Sequence, residues 1–166
     1  YPDSGIFIFK SEDKYITLRA GGATFSHRHV DDSSVTLAFK GIDFIVDCGM
    51  YNYDVNDKLR RWFTSSKAHS GFYLDSATGV RYANFSKPQD LGELISLEQL
   101  SFGFNVKCKH NLSPEAEVKR SITLDGDIFT ISDEFEAVVK TAWRQQFQFH
   151  PECFVVLDSK NNSCKV

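Results

Sequence analysis

The sequence predicts an all-β fold, a two-sheet antiparallel β-sandwich. Apolar and polar residues alternate over short runs along most of the chain, and Gly, Pro or Asp-Gly turn signals separate those runs. A composition of 42% hydrophobic and 14% aromatic residues in 166 residues suffices for one buried core. We therefore predict one sandwich domain over residues 3–158, followed by a loose polar tail over residues 159–166.

Turn signals define the limits of the predicted strands. Lys40-Gly41 separates two apolar runs and predicts a hairpin. Asp125-Gly126-Asp127 is the stronger hairpin signal, because Asp-Gly favours the tight turns that join antiparallel strands. Gly103 lies inside a run that is long enough for one strand or two, and there it indicates a bulge. The predicted strands are Gly5–Lys10, Tyr15–Arg19, Ser34–Lys40, Ile42–Cys48, Gly71–Leu74, Leu94–His110, Val118–Leu124, Ile128–Phe135, Lys140–His150 and Cys153–Leu157.

Two segments depart from this alternation. Met50–Lys67 shows little apolar periodicity and is predicted to be a long loop, a kind of segment that tends to carry function in compact domains. Leu91–Leu100 contains Glu93 and Glu98 and is compatible with a short helix, but we predict a strand plus a loop.

Charge and composition narrow the classes of function that the chain can have. The net charge of −3 and the pI of about 5.9 give no general attraction to nucleic acid. No long uncharged apolar run predicts a membrane span. The chain begins at Tyr1 without a methionine, so we interpret it as a fragment of a longer protein. The compartment stays open, with a periplasmic or secreted bacterial location favoured over a cytoplasmic one.

The four cysteines do not define a metal site by their spacing. No Cys-x-x-Cys pair occurs, which argues against a sulfur-rich zinc site. Two disulfides in an oxidising compartment and free thiols in strands or the tail both stay open. The cysteines are Cys48, Cys108, Cys153 and Cys164.

The run from Ser26 to Ser34 holds the strongest candidate site. His27 and His29 are two of five histidines, and residues i and i+2 of a strand point to the same face. Asp47 and His69 follow later in the chain, each after an apolar run or loop. Two imidazoles and one carboxylate suit zinc and leave a fourth position for water. A His-x-His pair by itself is more often two ordinary strand histidines.

Taken in order, these motifs resemble the C-terminal β-sandwich domain of the heparinase II/III-like polysaccharide lyases. Ser26 to Ser34 resembles the family's His-x-His-x-Asp-x-x-Ser, and Gly41 to Tyr53 resembles its Gly…Asp-x-Gly-x-Tyr-x-Tyr. Arg60 to His69 resembles its Arg-rich approach to Ala-His-Asn-Thr, from which this chain departs with Ser70-Gly71. The remaining matches, Arg120 to Asp133 and Phe147 to Pro151, extend the likeness over nearly the whole chain.

The resemblance implies a role for each matched residue. It implies zinc as the cofactor, bound by His29, Asp47 and His69, and a histidine, His27, that points into the substrate cleft. Family members carry an N-terminal α/α toroid that supplies a catalytic tyrosine. We therefore expect that domain as a partner in the same chain, an acidic polysaccharide as substrate, and no activity from these 166 residues alone.

The chemistry of such a lyase explains the residue types. A uronic-acid polymer is cleaved by β-elimination, in which a base removes the C5 proton and the C4–O bond to the leaving sugar breaks. Because that proton is weakly acidic, the neighbouring carboxylate must be neutralised, and a His or Tyr within hydrogen-bond reach supplies base and acid. We predict His27 and Tyr53 as catalytic residues. The predicted substrate-binding residues are Arg60 and Arg61, for carboxylate or sulfate, and Tyr51 and Trp62, for sugar stacking.

Other interpretations stay open. Tyr51 and Tyr53 are by default aromatics at the edge of the sandwich, and Arg60-Arg61 is by default a solvated loop pair. The alternative function is a non-catalytic, metal-stabilised carbohydrate-binding or scaffold sandwich of a surface-polysaccharide protein. The hypothesis of a stand-alone hydrolase that uses zinc-bound water is weaker, because no nucleophile partner is evident.

Overall fold

The computed structural model describes residues 4–21, 29–75, 92–111, 116–138, 140, 142–158 and 163–165. It confirms the all-β prediction, because two four-stranded antiparallel sheets pack as a sandwich. Among the described residues, no helix is both long and apolar enough to span a membrane. The strands are β1 Ile6–Lys10, β2 Lys14–Arg19, β3 Val35–Phe39, β4 Ile42–Ile45, β5 Phe72–Asp75, β6 Gly92–Leu100, β7 Gly103–His110, β8 Ala116–Asp125, β9 Ile128–Ala137, β10 Ala142–Gln145, β11 Val156–Asp158 and β12 Ser163–Lys165.

The first sheet is a meander of β1 to β4 in sequence order. Alternation gives it one buried face, since Ile16 and Leu18 of β2 are fully buried while Tyr15 is exposed. The hairpin predicted at Lys40-Gly41 is confirmed. Both residues have positive φ, of 51° and 76°, as a two-residue turn between twisted strands requires.

The second sheet is a meander of β6 to β9. Val106 of β7 and Ile122 of β8 are buried against the first sheet. The predicted Asp125-Gly126-Asp127 turn is confirmed, because Asp125 pairs with Ile128 and Gly126 has a φ of 59°. That turn fixes the register of every facing pair along the two ten-residue strands.

The bulge predicted at Gly103 is wrong. Residues 101–102 form a turn, so the long apolar run becomes two strands, and the register shift of this pair lies between Leu94 and Ser96 instead. Glycine is needed at position 103 for a different reason. A Cβ there would lie 1.9 Å from the Leu124 carbonyl oxygen, so the residue permits close approach of β7 to β8.

The Met50–Lys67 segment, predicted to be a loop throughout, contains a short helix α1 (Lys58–Phe63) and runs into a 3₁₀ turn (Ser66–Ala68). The Asp57 carboxylate caps α1 by accepting a hydrogen bond from the Leu59 N–H at 2.7 Å. The helix has no buried residue, so it shows none of the apolar periodicity by which a helix is recognised in a sequence.

Two small strand pairs complete the described structure. β10 pairs with β5, and after β10 the chain leaves the sheet until Phe149 forms an isolated bridge with Ile45. The strand predicted over Lys140–His150 is therefore shorter than expected. β11 pairs with β12, so a strand occurs within the predicted tail.

The interior of the sandwich is apolar at one end and polar at the other. The inward alternation of β7 and β8 continues from phenylalanine and isoleucine into Cys108, His110 and Arg120, all buried. Among the residues that the structure describes, the other buried polar side chains come from the connections that follow β2 and the 3₁₀ turn. They are Asp32, Ser33, Ser34, His69 and Ser70.

Buried His110 should make stability depend on pH. Burial lowers the pKa of His110 from 6.5 to about 4, although the charge of Asp32 acts in the opposite direction. Between those values the unfolded chain binds a proton that the folded chain does not. With respect to His110, the free energy of unfolding is therefore at its full value above pH 6.5. It falls as the pH drops toward 4, by about 3 kcal/mol in all.

Urea unfolding at several pH values in this window, with chelator present, measures that slope. His110→Gln should flatten it, whereas the matched change His150→Gln, at a half-buried position, should leave it as in the wild type. Equal slopes in the wild type and His110→Gln would contradict the assignment.

Candidate metal centre

Three connections meet at the polar end of the sandwich. The loop of residues 29–34 precedes β3, residues 46–49 follow β4, and residues 69–71 join the 3₁₀ turn to β5. Hydrogen bonds link them: the Val35 N–H, directly after the first connection, donates to the Ser70 carbonyl at 3.1 Å, and the Ser70 hydroxyl donates to the Val46 carbonyl at 3.5 Å. Each connection carries one of the predicted metal ligands.

Asp47 and His69 are in direct contact. The Asp47 Oδ2 lies 2.7 Å from the His69 Nδ1, and its Oδ1 accepts a hydrogen bond from the Gly49 N–H at 2.8 Å. Burial raises the pKa of Asp47, but the hydrogen bond and charge of His69 outweigh it, so the pKa is lowered overall. The carboxylate is therefore ionised at neutral pH and ready to bind a cation.

His29 lies beside this pair. Its ring centroid is 5.2 Å from that of His69, with an angle of 41° between the rings. Burial, followed by the charge of His69, lowers the pKa of His29, and the charges of Arg19 and Arg60 act in the same direction. A lowered pKa keeps this imidazole neutral, which is the form that binds metal.

Cys48 adds a sulfur to the group. One ligand atom from each of Asp47, Cys48 and His69 can be chosen so that all lie within 4.8 Å of one another. The Cys48 thiol is half-buried, and burial raises its pKa to about 11, so the free thiol is protonated. Cys108 and Cys153 are also free thiols, which answers the disulfide question for these three cysteines.

The buried ring of His69 supports metal binding. Its side chain is 2% exposed, and Nε2 has no hydrogen-bond partner among the residues that the structure describes. Either ring nitrogen of a neutral imidazole can bind a metal, so a buried ring that lies against a carboxylate and keeps an unpartnered nitrogen is suited to a cation. The imidazole, carboxylate and thiol groups therefore fit a metal ion such as zinc.

Arg120 holds two of the three connections in place. Its Nη1 donates to the Ser33 carbonyl at 2.7 Å and to the Ser70 carbonyl at 2.9 Å. Ser33 has a φ of 67°, a conformation that costs free energy in a non-glycine residue and persists only where its surroundings fix it. The guanidinium thus determines where the backbone beside the candidate ligands His29 and His69 lies.

The charge of Arg120 is balanced within the second sheet. Asp133 accepts two hydrogen bonds of 2.7 Å, from Nε and Nη2, in a bidentate pair. Gln145 donates to the same carboxylate at 2.7 Å, and the Phe147 ring lies 5.8 Å from the guanidinium carbon. Because the Asp133 side chain is only 2% exposed, this pair is an anchor isolated from solvent.

The predicted substrate-binding residues and the predicted catalytic Tyr53 lie on and near α1. Tyr51 is 51% exposed and stacks on Phe63 with ring centroids 5.2 Å apart, and Tyr53 is 68% exposed. Arg60 donates to the Asn52 carbonyl through Nε at 3.1 Å. Arg61 and Trp62 are exposed on the same helix. Tyr51, Tyr53, Arg60, Arg61 and Trp62 therefore remain predictions, and His27 lies outside the described residues.

Sequence reasoning missed the roles of Arg120, Asp133 and Cys48. The Arg120–Asp133 pair could have been found, because counting outward from the Asp125-Gly126-Asp127 turn makes these two residues cross-strand partners. An arginine on the inward side of an apolar strand then needs such a carboxylate. Cys48 carried no comparable signal, since adjacency to Asp47 in the sequence does not show where a thiol points.

The whole chain matches one family. The sequence profile described as "Heparinase II/III-like, C-terminal" matches residues 1–165, so the chain belongs to this family. No curated protein matches the sequence.

Solved structures share the fold at low identity. Heparan sulfate lyase HepC from Pedobacter heparinus has a TM-score of 0.80 at 19% identity, over 98% of this chain and 26% of its own. A crystal structure of heparinase III has a TM-score of 0.75 at 16% identity, over 96% of this chain and 26% of its own. The chain thus spans about a quarter of the length of the structures it resembles.

Removal of the Arg120 guanidinium should be costly. Arg120→Met would leave the buried Asp133 carboxylate and two loop carbonyls without their donor, at a cost of roughly 3–5 kcal/mol. Lys119→Met is the matched control on β8, since Lys119 is 45% exposed and only 3.5 Å from Glu117. That change should cost about 0–1 kcal/mol. Urea unfolding of both variants checks the difference, and equal losses would refute the anchor role of Arg120.

Proposed function

We propose that this chain is the C-terminal domain of a polysaccharide lyase that cleaves a uronic-acid-containing polysaccharide by β-elimination. The observation that supports the proposal most is the convergence of His29, Asp47 and His69 at one end of a sandwich that belongs to the heparinase II/III-like family. In the sequence, His27 stands two residues before His29. The proposed cleft is therefore next to the metal centre.

The residues of this domain would act on the substrate in two ways. His27, as a neutral imidazole, would accept the C5 proton, or as an imidazolium it would neutralise the substrate carboxylate. Tyr53 is the second proton-transfer candidate in the chain. Arg60 and Arg61 would bind carboxylate or sulfate groups of the polymer, while Tyr51 and Trp62 would stack on sugar rings. An N-terminal α/α toroid would supply the remaining groups.

We propose zinc as the metal that His29, Asp47 and His69 hold. The fit rests on the contact of the Asp47 carboxylate with the buried ring of His69 and on the neighbouring ring of His29. When bound, the ion supplies cross-linking of the three connections rather than attack on the substrate. The residues would thereby fix the chain at His29 and with it the neighbouring His27.

A non-catalytic, carbohydrate-binding or scaffold role is the second candidate. The exposed aromatic surface near α1 favours it, because Trp62 is 43% exposed and meets Phe63 edge to face at 5.3 Å, while Tyr51 stacks on the same ring. Rigid exposed aromatics bind sugars without any proton transfer. Activity measurements on the proposed catalytic histidine separate the two candidates.

Loss of a ligand should abolish metal binding and the stability that it gives. Full-length wild-type protein should contain near one zinc per chain by metal analysis, and His29→Ala should contain much less. Chelator should lower the Tm of the wild type but not that of His29→Ala, since zinc stabilises only the folded state, by about 2.7 kcal/mol at a hundredfold excess over Kd. His150→Ala is the control. A wild-type Tm unchanged by chelator would argue against a structural metal.

Loss of His27 should reduce catalysis rather than binding. In the full-length enzyme, His27→Ala should lower kcat by about 10²-fold or more with little change in KM, because a proton-transfer group acts mainly in the transition state. Ultraviolet absorbance of the unsaturated product gives the rate across uronate polysaccharides. His29→Ala should instead lower activity together with Tm. Cleavage by His27→Ala at the wild-type rate would favour the scaffold or binding role.

A further inference from the structure

We propose that the Cys48 thiolate is a fourth protein ligand of the metal, in the position predicted for water. The inference rests on the proposed zinc site and adds a residue to it. The ligand set becomes His29, Asp47, Cys48 and His69. Such a set closes the coordination sphere, so that the ion has a structural role.

The geometry of the cluster supports this assignment. Ligand atoms of Asp47, Cys48 and His69 lie within 4.8 Å of one another. Metal–ligand bonds of about 2.0–2.3 Å place the ligand atoms of a tetrahedral zinc site roughly 3.3–3.8 Å apart. Among the ligand atoms of Asp47, Cys48 and His69, the largest separation therefore has to shrink by roughly 1 Å, which a side-chain rotation can supply.

The present contacts of the Cys48 thiol are weak. Its Sγ lies 3.6 Å from the Gly49 carbonyl oxygen and 3.9 Å from that of Phe63. Thiols are weak hydrogen-bond donors, so rotation toward the cluster would lose little. The second feature that points to a ligand is independent of the thiol. His69 is 1% exposed, and its Nε2 has no partner in the described part of the chain.

The binding step is a simple exchange of a proton for a metal ion. The S–H bond of Cys48 breaks, its proton leaves to solvent, and the sulfur electron pair forms the bond to the ion. No oxidant or reductant is needed. With four protein ligands the ion has no open position, so it can neither activate water nor polarise the substrate. This places all proton transfer on side chains such as His27.

Cobalt(II) substitution of the full-length protein tests the assignment. A thiolate ligand gives Co²⁺ an intense near-ultraviolet charge-transfer band that oxygen and nitrogen ligands do not. We expect this band in the wild type, its loss in Cys48→Ser, and its retention in Cys153→Ser. Cys153 is a matched control, since it is half-buried and its Sγ likewise lies 3.6 Å from a backbone carbonyl oxygen, that of Asp43.

Two results would overturn the proposal in distinguishable ways. Stoichiometric cobalt binding without the band, or a band that survives Cys48→Ser, would exclude Cys48 and leave the zinc site of His29, Asp47 and His69 intact. Failure of the wild type to bind cobalt or zinc at all would refute the metal centre itself.

Alkylation of the wild type gives a second measurement that does not depend on the folding of a variant. Zinc should protect Cys48 from an alkylating reagent, and chelator should remove that protection, while Cys153 reacts alike in both conditions. Mass spectrometry of the labelled peptides reports each cysteine separately. Equal labelling of Cys48 with and without zinc in metal-loaded protein would overturn the assignment.

Discussion

The Arg120 guanidinium is a full positive charge inside the sandwich, and it donates hydrogen bonds to two of the loops that form the candidate metal centre. Asp133 balances the charge from the neighbouring strand, which leaves one nitrogen to donate to two loop carbonyls. Those carbonyls belong to Ser33 and Ser70, each close in sequence to a candidate ligand. A buried ion pair of this kind adds little stability over an apolar replacement, but loss of one partner is costly. Its benefit here is that it fixes the positions of two loops.

The charges of the candidate ligands suit a structural metal ion, which would link the loops and take no part in catalysis. The two imidazoles lie 5.2 Å apart at their centroids, and burial keeps His29 neutral, so they do not repel one another. Asp47 is a partly exposed anion, with 33% of its side chain accessible. A thiolate from Cys48 would add a second negative charge and match a divalent cation. An ion with four protein ligands would have no part in the catalytic step. Residues of the proposed cleft would then carry out that step.

Much of the fold could be predicted from local sequence features. Alternation predicted the sheets, and the turns at Lys40-Gly41 and Asp125-Gly126-Asp127 set the register of their hairpins. The helix α1 could not be predicted, because it buries no side chain and is stabilised by a cap. Of the candidate site, the contact of Asp47 with His69 agrees with the set expected from the family motif, and His29 as a metal ligand stays a prediction. The reach of Cys48 depends on how loops fold back in three dimensions, which spacing does not encode.

The order of the strands has a consequence for folding kinetics. Both large sheets are meanders in which sequence neighbours pair, so each can form through short loop closures. The hydrogen bonds of Arg120 instead join residues that are 87 and 50 positions apart in the sequence. Because closing such long loops costs more entropy, we expect these contacts to form late in folding. Interactions that form after the transition state act on the unfolding rate and leave the folding rate nearly unchanged. The polar end of the sandwich would thus govern how long the domain stays folded rather than how fast it folds.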